Sequence, residues 1–331
     1  MNSLELFKTQ KFYQIDISIL KDLGYDVLLS NRIFDSLLFW KYDILFSYFY
    51  RYSFFAALLA KCFGKKTYFT GGIDSLDSDY ASAFNYKIQA LFFKLCYWVA
   101  DSCIIVSQSD LKNIFKVSSL KKKLSYSEHV INTKLFIADV PKEKIFTSIV
   151  WMGDEGNVVR KGVDKALQIF AELKKIPEFV DYRFVIIGRK GEGEVLVRSI
   201  IDKYNLKGSV ELKGEVSEED KINLLKQSKY YFQLSLYEGF GLAALEALCA
   251  NNIIIHSGKG GLANPIYKEQ LLFDIDNDFD SELLKLVNKL ACFTPITSYD
   301  NLLEYYDIQR RKDDFEAIIA VSYTHLRAHE T

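Results

Sequence analysis

YYFQLSLYEGFGLAALEALCANNIIIHS, residues 230–257, sets two β-rich apolar runs on either side of a helix-forming one. Its ends, YYFQLS (230–235) and NIIIHS (252–257), are almost continuously apolar, as strands buried on both faces are. GLAALEALCA between them supplies the crossover. A strand, a helix and a second strand in that order predict a parallel sheet with helices on both faces.

The same rhythm extends in both directions. Strands are expected at 26–30, 43–49, 66–70, 102–107, 148–153, 182–188 and 209–214, and helical spacing at 86–100, 161–175 and 217–228. The expected class is therefore α/β, doubly wound. The rhythm pauses between about Leu124 and Thr147, where Pro141 and the charged run PKEK suggest a linker. A chain of 331 residues, at roughly 150 per domain, is expected to form two domains, 1–143 and 144–320, with a ligand cleft between them. The last eleven residues, VSYTHLRAHET (321–331), differ in character and back-translate in one frame into a common transposase-type sequencing adapter. They are expected to be a read-through artefact, so His325 and His329 are set aside.

Composition narrows the function. Forty-two Lys+Arg against 43 Asp+Glu leave a net charge of -1, which sets up no field for a general nucleic-acid binder. Five cysteines without a CxxC pair fit a reducing cytosol, so a cytoplasmic protein is expected. The apolar stretch 42–60 contains Asp43 and Arg51 and reads as a strand followed by a helix, not as a membrane span.

In doubly wound sheets ligands bind beyond the carboxyl ends of the strands, so the loops there carry the chemistry. After 230–235 come Glu238, Gly239, Phe240, Gly241 and Leu242, then Glu246 on the following helix. Glycines at a helix start let backbone N–H groups approach an anion, and the carboxylates suit sugar diols. A glycine turn with two solvated glutamates accounts for the loop equally well. Arg160 and Lys161, expected to open a helix, face the wrong end of its dipole, and a bound diphosphate would explain them; a solvated surface is the plain alternative. Gly188, and Gly214 with Glu215 and Val216, put adaptable backbone at two more strand ends, where a base or ribose could be held. No G-x-G-x-x-G follows a strand with an acidic residue about 20 positions on, which argues against a dinucleotide oxidoreductase. Asp77-Ser78-Asp79 and Asp274-Ile275-Asp276 have the spacing of a metal-binding acidic pair, but no metal is expected. His256 reads as a strand-end residue, and His129 has no evident partner.

Together these segments resemble the retaining glycosyltransferases of the GT-B fold, in particular the family 4 group. RKGVDKALQIFAEL is similar to that family's "KG-D" helix, and SLYEGFGLAALEA carries its E-x7-E spacing with Glu238 and Glu246. The likeness runs from about 148 to 266. The earlier half matches more loosely, through TYFTGGID and ADSCIIVSQSDLKNIF. Gly71 stands where the family commonly has His, Asp154 where it usually has Arg, and the family's opening strand with its glycine-rich loop is absent or unrecognisable.

The resemblance implies two Rossmann-like domains and transfer of a sugar from a nucleotide-sugar donor to a saccharide or lipid-linked acceptor. It further implies retention of configuration and no metal. Lys161 and Arg160 would stabilise the leaving diphosphate with the helix start at Gly239–Leu242, and Glu238 would position the donor sugar. Glu246 would hold the ribose, and Val216 and Gly188 would lie near the base. An inactive relative that binds nucleotide-sugar without transfer is the alternative. Aromatic residues crowd the region before residue 100, as in FWKYDILFSYFYRYSFF (39–55). That crowding reads either as packed core or as an apolar patch giving peripheral membrane contact.

Overall fold

The apolar runs fold into two all-parallel sheets among the described residues, which are 3–137, 140–293 and 300–327 of a computed structural model. The chain divides into two compact units. Asn132–Glu304 forms one, and Met1–Ile131 together with Tyr305–Thr331 forms the other.

The unit built from the middle of the chain contains β5 (Glu143–Ile149), α6 (Glu155–Arg160), α7 (Val163–Leu173), β6 (Arg183–Ile187), α8 (Glu194–Lys203), β7 (Val210–Gly214) and α9 (Glu218–Gln227). It continues with β8 (Ser228–Gln233), α10 (Leu242–Cys249), β9 (Ile253–His256), β10 (Leu271–Leu272), α11 (Phe279–Cys292) and most of α12 (Asp300–Tyr305). The strand order is β10-β9-β8-β5-β6-β7. β5 therefore lies in the middle; the chain winds outward through β6 and β7, then returns to lay β8 on the other side of β5. The winding direction reverses there, and in sheets of this kind the carboxyl ends of the strands flanking the reversal, here β5 and β8, are where ligands bind. Phe146 of β5 fixes the register, opposite Tyr230 on one side and Phe184 on the other. Its ring stacks on Tyr230 at 4.6 Å and on Phe232 at 5.1 Å, all three fully or almost fully buried. Burying one such ring is worth about 2–3 kcal/mol, so the side chains that set the register also anchor the core.

The other unit contains α1 (Ser3–Thr9), α2 (Lys11–Asp22), β1 (Ile44–Tyr48), α3 (Tyr50–Cys62), β2 (Lys66–Thr70), α4 (Ala83–Val99), β3 (Ser102–Ile105), α5 (Gln108–Val117), β4 (Leu124–Tyr126) and, from the far end of the chain, α13 (Ile308–Arg327). Its sheet runs β1-β2-β3-β4, advancing in one direction without a reversal. No described helix is long and apolar enough to cross a membrane.

α13 packs against α2, and a buried ion pair joins them. Arg311 reaches Asp16 through Nε at 2.6 Å and Nη2 at 2.9 Å, and its Nη1 donates to the carbonyls of Ser127 at 2.6 Å and Glu128 at 3.0 Å. Tyr48 donates to Asp16 Oδ2, the oxygen that Arg311 Nη2 also reaches, at 2.8 Å. Burial and the Asp16 charge hold the Tyr48 phenol well above its usual pKa, so it stays a donor.

The structure corrects several expectations. Residues 26–30 form no strand; Leu28 and Leu29 are exposed, and without a neighbouring strand to bond an apolar run stays irregular. The strand expected at 148–153 begins at Glu143. The lysines that suggested a linker are accommodated at its start, with Lys142 donating to the carbonyls of Leu225 and Lys226 at 3.3 and 2.8 Å. The pause itself contains β4. The boundary expected at 143 falls after Ile131, and the domain expected to reach 320 ends at Glu304, because the Arg311 network binds the following chain to α2 and β4. Of the tail, 321–327 continue α13, and 328–331 lie outside the described residues.

Arg311→Ala leaves Asp16 buried without its cation, and the expected loss is about 3–5 kcal/mol. Chemical unfolding of the single variants and of Asp16→Ala/Arg311→Ala measures it. The double variant should lose clearly less than the sum of the two singles.

Candidate active site

Lys161 and Glu238 meet at the reversal in strand order, Lys161 at the end of the short helix α6 that follows β5 and Glu238 on the loop that leaves β8. Lys161 Nζ lies 2.5 Å from Glu238 Oε1, with both side chains largely buried. The same oxygen accepts from Gln233 Nε2 at 2.8 Å and Ser235 Oγ at 2.7 Å. Gln233 is in turn held by Tyr231, whose hydroxyl donates to its Oε1 at 3.1 Å. Tyr231 is fully buried, and burial together with the nearby charges of Glu246 and Glu238 keeps its phenol protonated. Tyr231, Gln233 and Ser235 alternate along one face of an otherwise apolar run, a two-residue period of polar groups that marks them in the sequence.

Backbone geometry makes the meeting possible. Gly162 has φ +68°, and a Cβ there would lie 2.0 Å from the Leu234 carbonyl oxygen. The helix expected over 161–175 is therefore α7 alone, beginning at Val163, and a separate short helix, α6, ends just before it at Arg160. Arg160 and Lys161 do not open a helix; they close α6, where the dipole favours cations. The Leu236 N–H donates to the Arg160 carbonyl at 2.8 Å, linking the loops directly. Arg160 points its Nε and Nη2 at Asn157 Oδ1, 3.2 and 2.7 Å away, and has no carboxylate partner among the described residues. The loop after β9 closes the third side, with Gly261 N–H bonding the Glu238 carbonyl at 2.6 Å.

Gly241 (φ +88°) precedes α10 and gives it no side-chain cap, and no acidic residue lies in the first turn that Leu242 begins. The N–H groups there remain available to an anion. Gly239 is half-buried and Phe240 buried beside it. Glu246 is buried on α10, and Lys221 of α9 grips both its oxygens at 2.8 and 2.7 Å. Lys221 was not singled out from sequence; it sits in the first turns of an ordinary amphipathic helix and only the fold brings it to Glu246. Gly188 (φ +128°) follows β6, and a Cβ there would lie 2.0 Å from the Val150 carbonyl oxygen, so close strand packing demands the glycine. Val216 lies half-buried against Ile145, Val185 and Leu224. The structure thus joins Lys161 to Glu238 and places Glu246 near both through Tyr231, while Gly188 and Val216 occupy neighbouring strand ends.

The acidic pairs are turn-formers. Asp77 Oδ1 accepts the Asp79 N–H at 2.9 Å, Asp274 Oδ1 accepts the Asp276 N–H at 3.1 Å, and Lys259 pairs with Asp276. No cluster able to hold a metal occurs among the described residues.

Residues 156–290 match the sequence profile of the family described as glycosyl transferases group 1. Over these residues the chain is similar to that family. A GDP-mannose:cellobiosyl-diphosphopolyprenol alpha-mannosyltransferase of Xanthomonas oryzae is 32% identical over 163 residues, 43% of this chain and 40% of that protein. One of the subunits of the human phosphatidylinositol N-acetylglucosaminyltransferase is 30% identical over 105 residues, 32% of this chain and 21% of that protein. The chain thus matches well under two thirds of either relative's length. Among solved structures, Anabaena HepE in complex with UDP-glucose superposes with a TM-score of 0.69 at 12% identity, covering 92% of this chain and 88% of that one. Sucrose-phosphate synthase from Thermosynechococcus elongatus superposes with a TM-score of 0.61 at 17% identity, covering 97% and 78%. The fold of the chain is that of these neighbours, GT-B, as the sequence resemblance implied.

Gly162→Ala forces a left-handed conformation and a clash with Leu234. Unfolding measurements should show a loss above about 1–2 kcal/mol, the cost of the conformation alone. At the end of β9, burial pushes the pKa of His256 down to about 4. The folded state therefore binds the proton less well than the unfolded chain, whose histidine titrates near 6.5. Stability is complete above that pH and falls as pH drops from about 6.5 towards 4, by on the order of 3 kcal/mol. Thermal midpoints across this window should fall less steeply in His256→Gln than in the parent chain.

Proposed function

We propose that the chain transfers a sugar from a nucleotide-sugar donor to a saccharide or lipid-linked acceptor, retaining the anomeric configuration and using no metal. The observation that carries this reading is the Lys161–Glu238 pair at the strand-order reversal, beside the uncapped start of α10. A nucleoside diphosphate gains charge as it leaves, and Lys161, Arg160 and the N–H groups from Gly239 to Leu242 offer the positive field that elsewhere a divalent cation supplies. Donor binding exchanges the carboxylate partner of Lys161 for phosphate and turns Glu238, still held by Gln233 and Ser235, towards the sugar hydroxyls. Glu246, fixed by Lys221, holds the ribose diol, with Gly188 and Val216 near the base. The bond from the anomeric carbon to phosphate oxygen breaks, a bond to the acceptor hydroxyl oxygen forms on the same face, and the hydroxyl proton passes to the departing phosphate.

Relatives with GDP-mannose and diphosphopolyprenol in their names, and neighbours solved with UDP or UDP-glucose, support a nucleotide-sugar donor and a carrier-linked acceptor. The free cysteines support a cytoplasmic setting. A second reading, a nucleotide-sugar binder without transfer, is favoured by Gly71: its φ of +105° and the adjacent Phe49 ring leave no imidazole where family members commonly carry one.

Thermal-shift titration of the chain with UDP, GDP and ADP tests the donor site. A nucleotide at about 100 times its dissociation constant adds roughly 2.7 kcal/mol, a shift of several degrees. One nucleotide should stabilise selectively, with the shift reduced in Lys161→Ala and Glu246→Ala. Glu238→Gln should retain much of the shift and lose about 100-fold in turnover, as expected for misplacing the donor sugar. A folded chain indifferent to all three nucleotides would sink the proposal; stabilisation without turnover selects the second reading.

A further inference from the structure

α4 presents an exposed stripe of unusual composition. Phe84, Lys87, Leu91, Lys94 and Trp98 follow one another at intervals of three and four, so they share an arc of about 80° along roughly 21 Å of helix. All five are exposed, Phe84 at 72% and Trp98 at 71%. The opposite face supplies Phe93 and Cys96 to the core, so the stripe is a second apolar face on a helix whose packing need is already met. Neither lysine has a carboxylate partner among the described residues, and α4 contains no acidic residue.

The adjoining helix repeats the pattern. α3 packs on α4 through Phe54 against Phe92 and Tyr50 against Phe93, and it too lacks any Asp or Glu. It exposes Arg51, Tyr52 and Phe55. The short turn packed against α3 adds Phe34 at 78% exposure, and Trp40 follows at 66%. The two packed helices thus expose several aromatic side chains and carry cations as their only charged residues, within a chain of almost zero net charge. Single exposed apolar residues need no explanation, but an exposed apolar stripe interleaved with cations along one helix does.

We propose that this face of the unit containing α3 and α4 lies on an anionic lipid surface. The interleaving of lysines with aromatic side chains favours a bilayer over a protein partner. At a bilayer Lys87 and Lys94 extend to the lipid phosphates while Phe84, Leu91 and Trp98 enter the interface, and no charge is stripped of its solvation. A protein covering the same stripe would bury both amines and would need a carboxylate placed against each. The proposal rests on the transferase reading only in that a lipid-linked acceptor gives the contact a purpose.

Sedimentation of the full chain with phosphatidylcholine vesicles, with and without phosphatidylglycerol, tests it with no donor present. The chain should bind the anionic vesicles and be released by salt. Each basic residue near such a surface is worth about fivefold in partition, so Lys87→Glu/Lys94→Glu should bind at least about 25-fold more weakly. Phe84→Ser/Leu91→Ser/Trp98→Ser should also lose binding. Circular dichroism and the nucleotide thermal shift, unchanged in both variants, show that the fold and the donor site are intact. Absence of vesicle binding, binding that neither variant weakens, or a dimer in sedimentation equilibrium that the triple serine variant dissociates would each overturn the proposal. Nucleotide stabilisation without vesicle binding defeats this inference alone, and vesicle binding without nucleotide stabilisation defeats the transferase reading alone.

Discussion

Lys161 reaches Glu238 because the backbone of Gly162 passes against the carbonyl of Leu234, and the other site groups are arranged around that contact. The Leu236 N–H ties the loop after β8 to the end of α6, and the Gly261 N–H ties the loop after β9 to Glu238. Segments leaving β5, β8 and β9 are thereby joined at the point where the strand order reverses. Three donors converge on Glu238 Oε1, two of them neutral side chains fixed on β8 and the loop after it, so the largely buried carboxylate is solvated by protein dipoles as well as by the lysine. A site prepared in this way undergoes little reorganisation as charge develops on a leaving group.

The same dependence explains what could be read before the fold was known. Most of the sheet containing β5–β10 was legible because β6, β8 and β9 are buried on both faces and announce themselves as apolar runs, whereas the two-residue β10 was not expected. VELKG and IIIH fall within one residue of their expected limits, and in the other sheet KTYFT coincides with β2. Arg160 and Lys161 were visible as a basic pair, but their place at the end of α6 was not, since a helix-compatible sequence crosses Gly162 without interruption and only the approach of Leu234 forces the break. Lys221 was hidden for a related reason: its partner lies 25 positions away in the chain, and no local pattern relates them.

The unit containing β1–β4 was harder to read because its closure is non-local. Asp16 and Arg311 are 295 positions apart, and each alone looks like a solvated charge on a helix. Once paired they account for the position of α13, and with it for the failure of a division of the chain in sequence order. Burial by itself lowers the affinity of Arg311 for its proton, but the Asp16 carboxylate more than offsets this, and the guanidinium stays charged. Two ions so completely removed from water tolerate no loss of either partner, which makes the pair a demanding way to hold a terminal helix and a specific one. His129, held neutral by burial and by the Arg311 charge, sits within the same network, so the additional titratable group there adds no second cation.

Net charge was informative about one property and silent about another. A balance of 42 basic against 43 acidic side chains excludes a strong overall field, yet the two helices with the most exposed aromatic surface carry basic residues only. The compensating acids lie elsewhere, in turns such as Asp77–Asp79 and at helix starts such as Glu218–Asp220. Segregation of this kind leaves long-range steering weak, because at distances beyond about 10 Å the opposing charges are screened or cancel. At contact distance the local excess is felt in full. A face of this composition acts on a surface already within reach, and the aromatic side chains between its cations then decide how long the contact lasts.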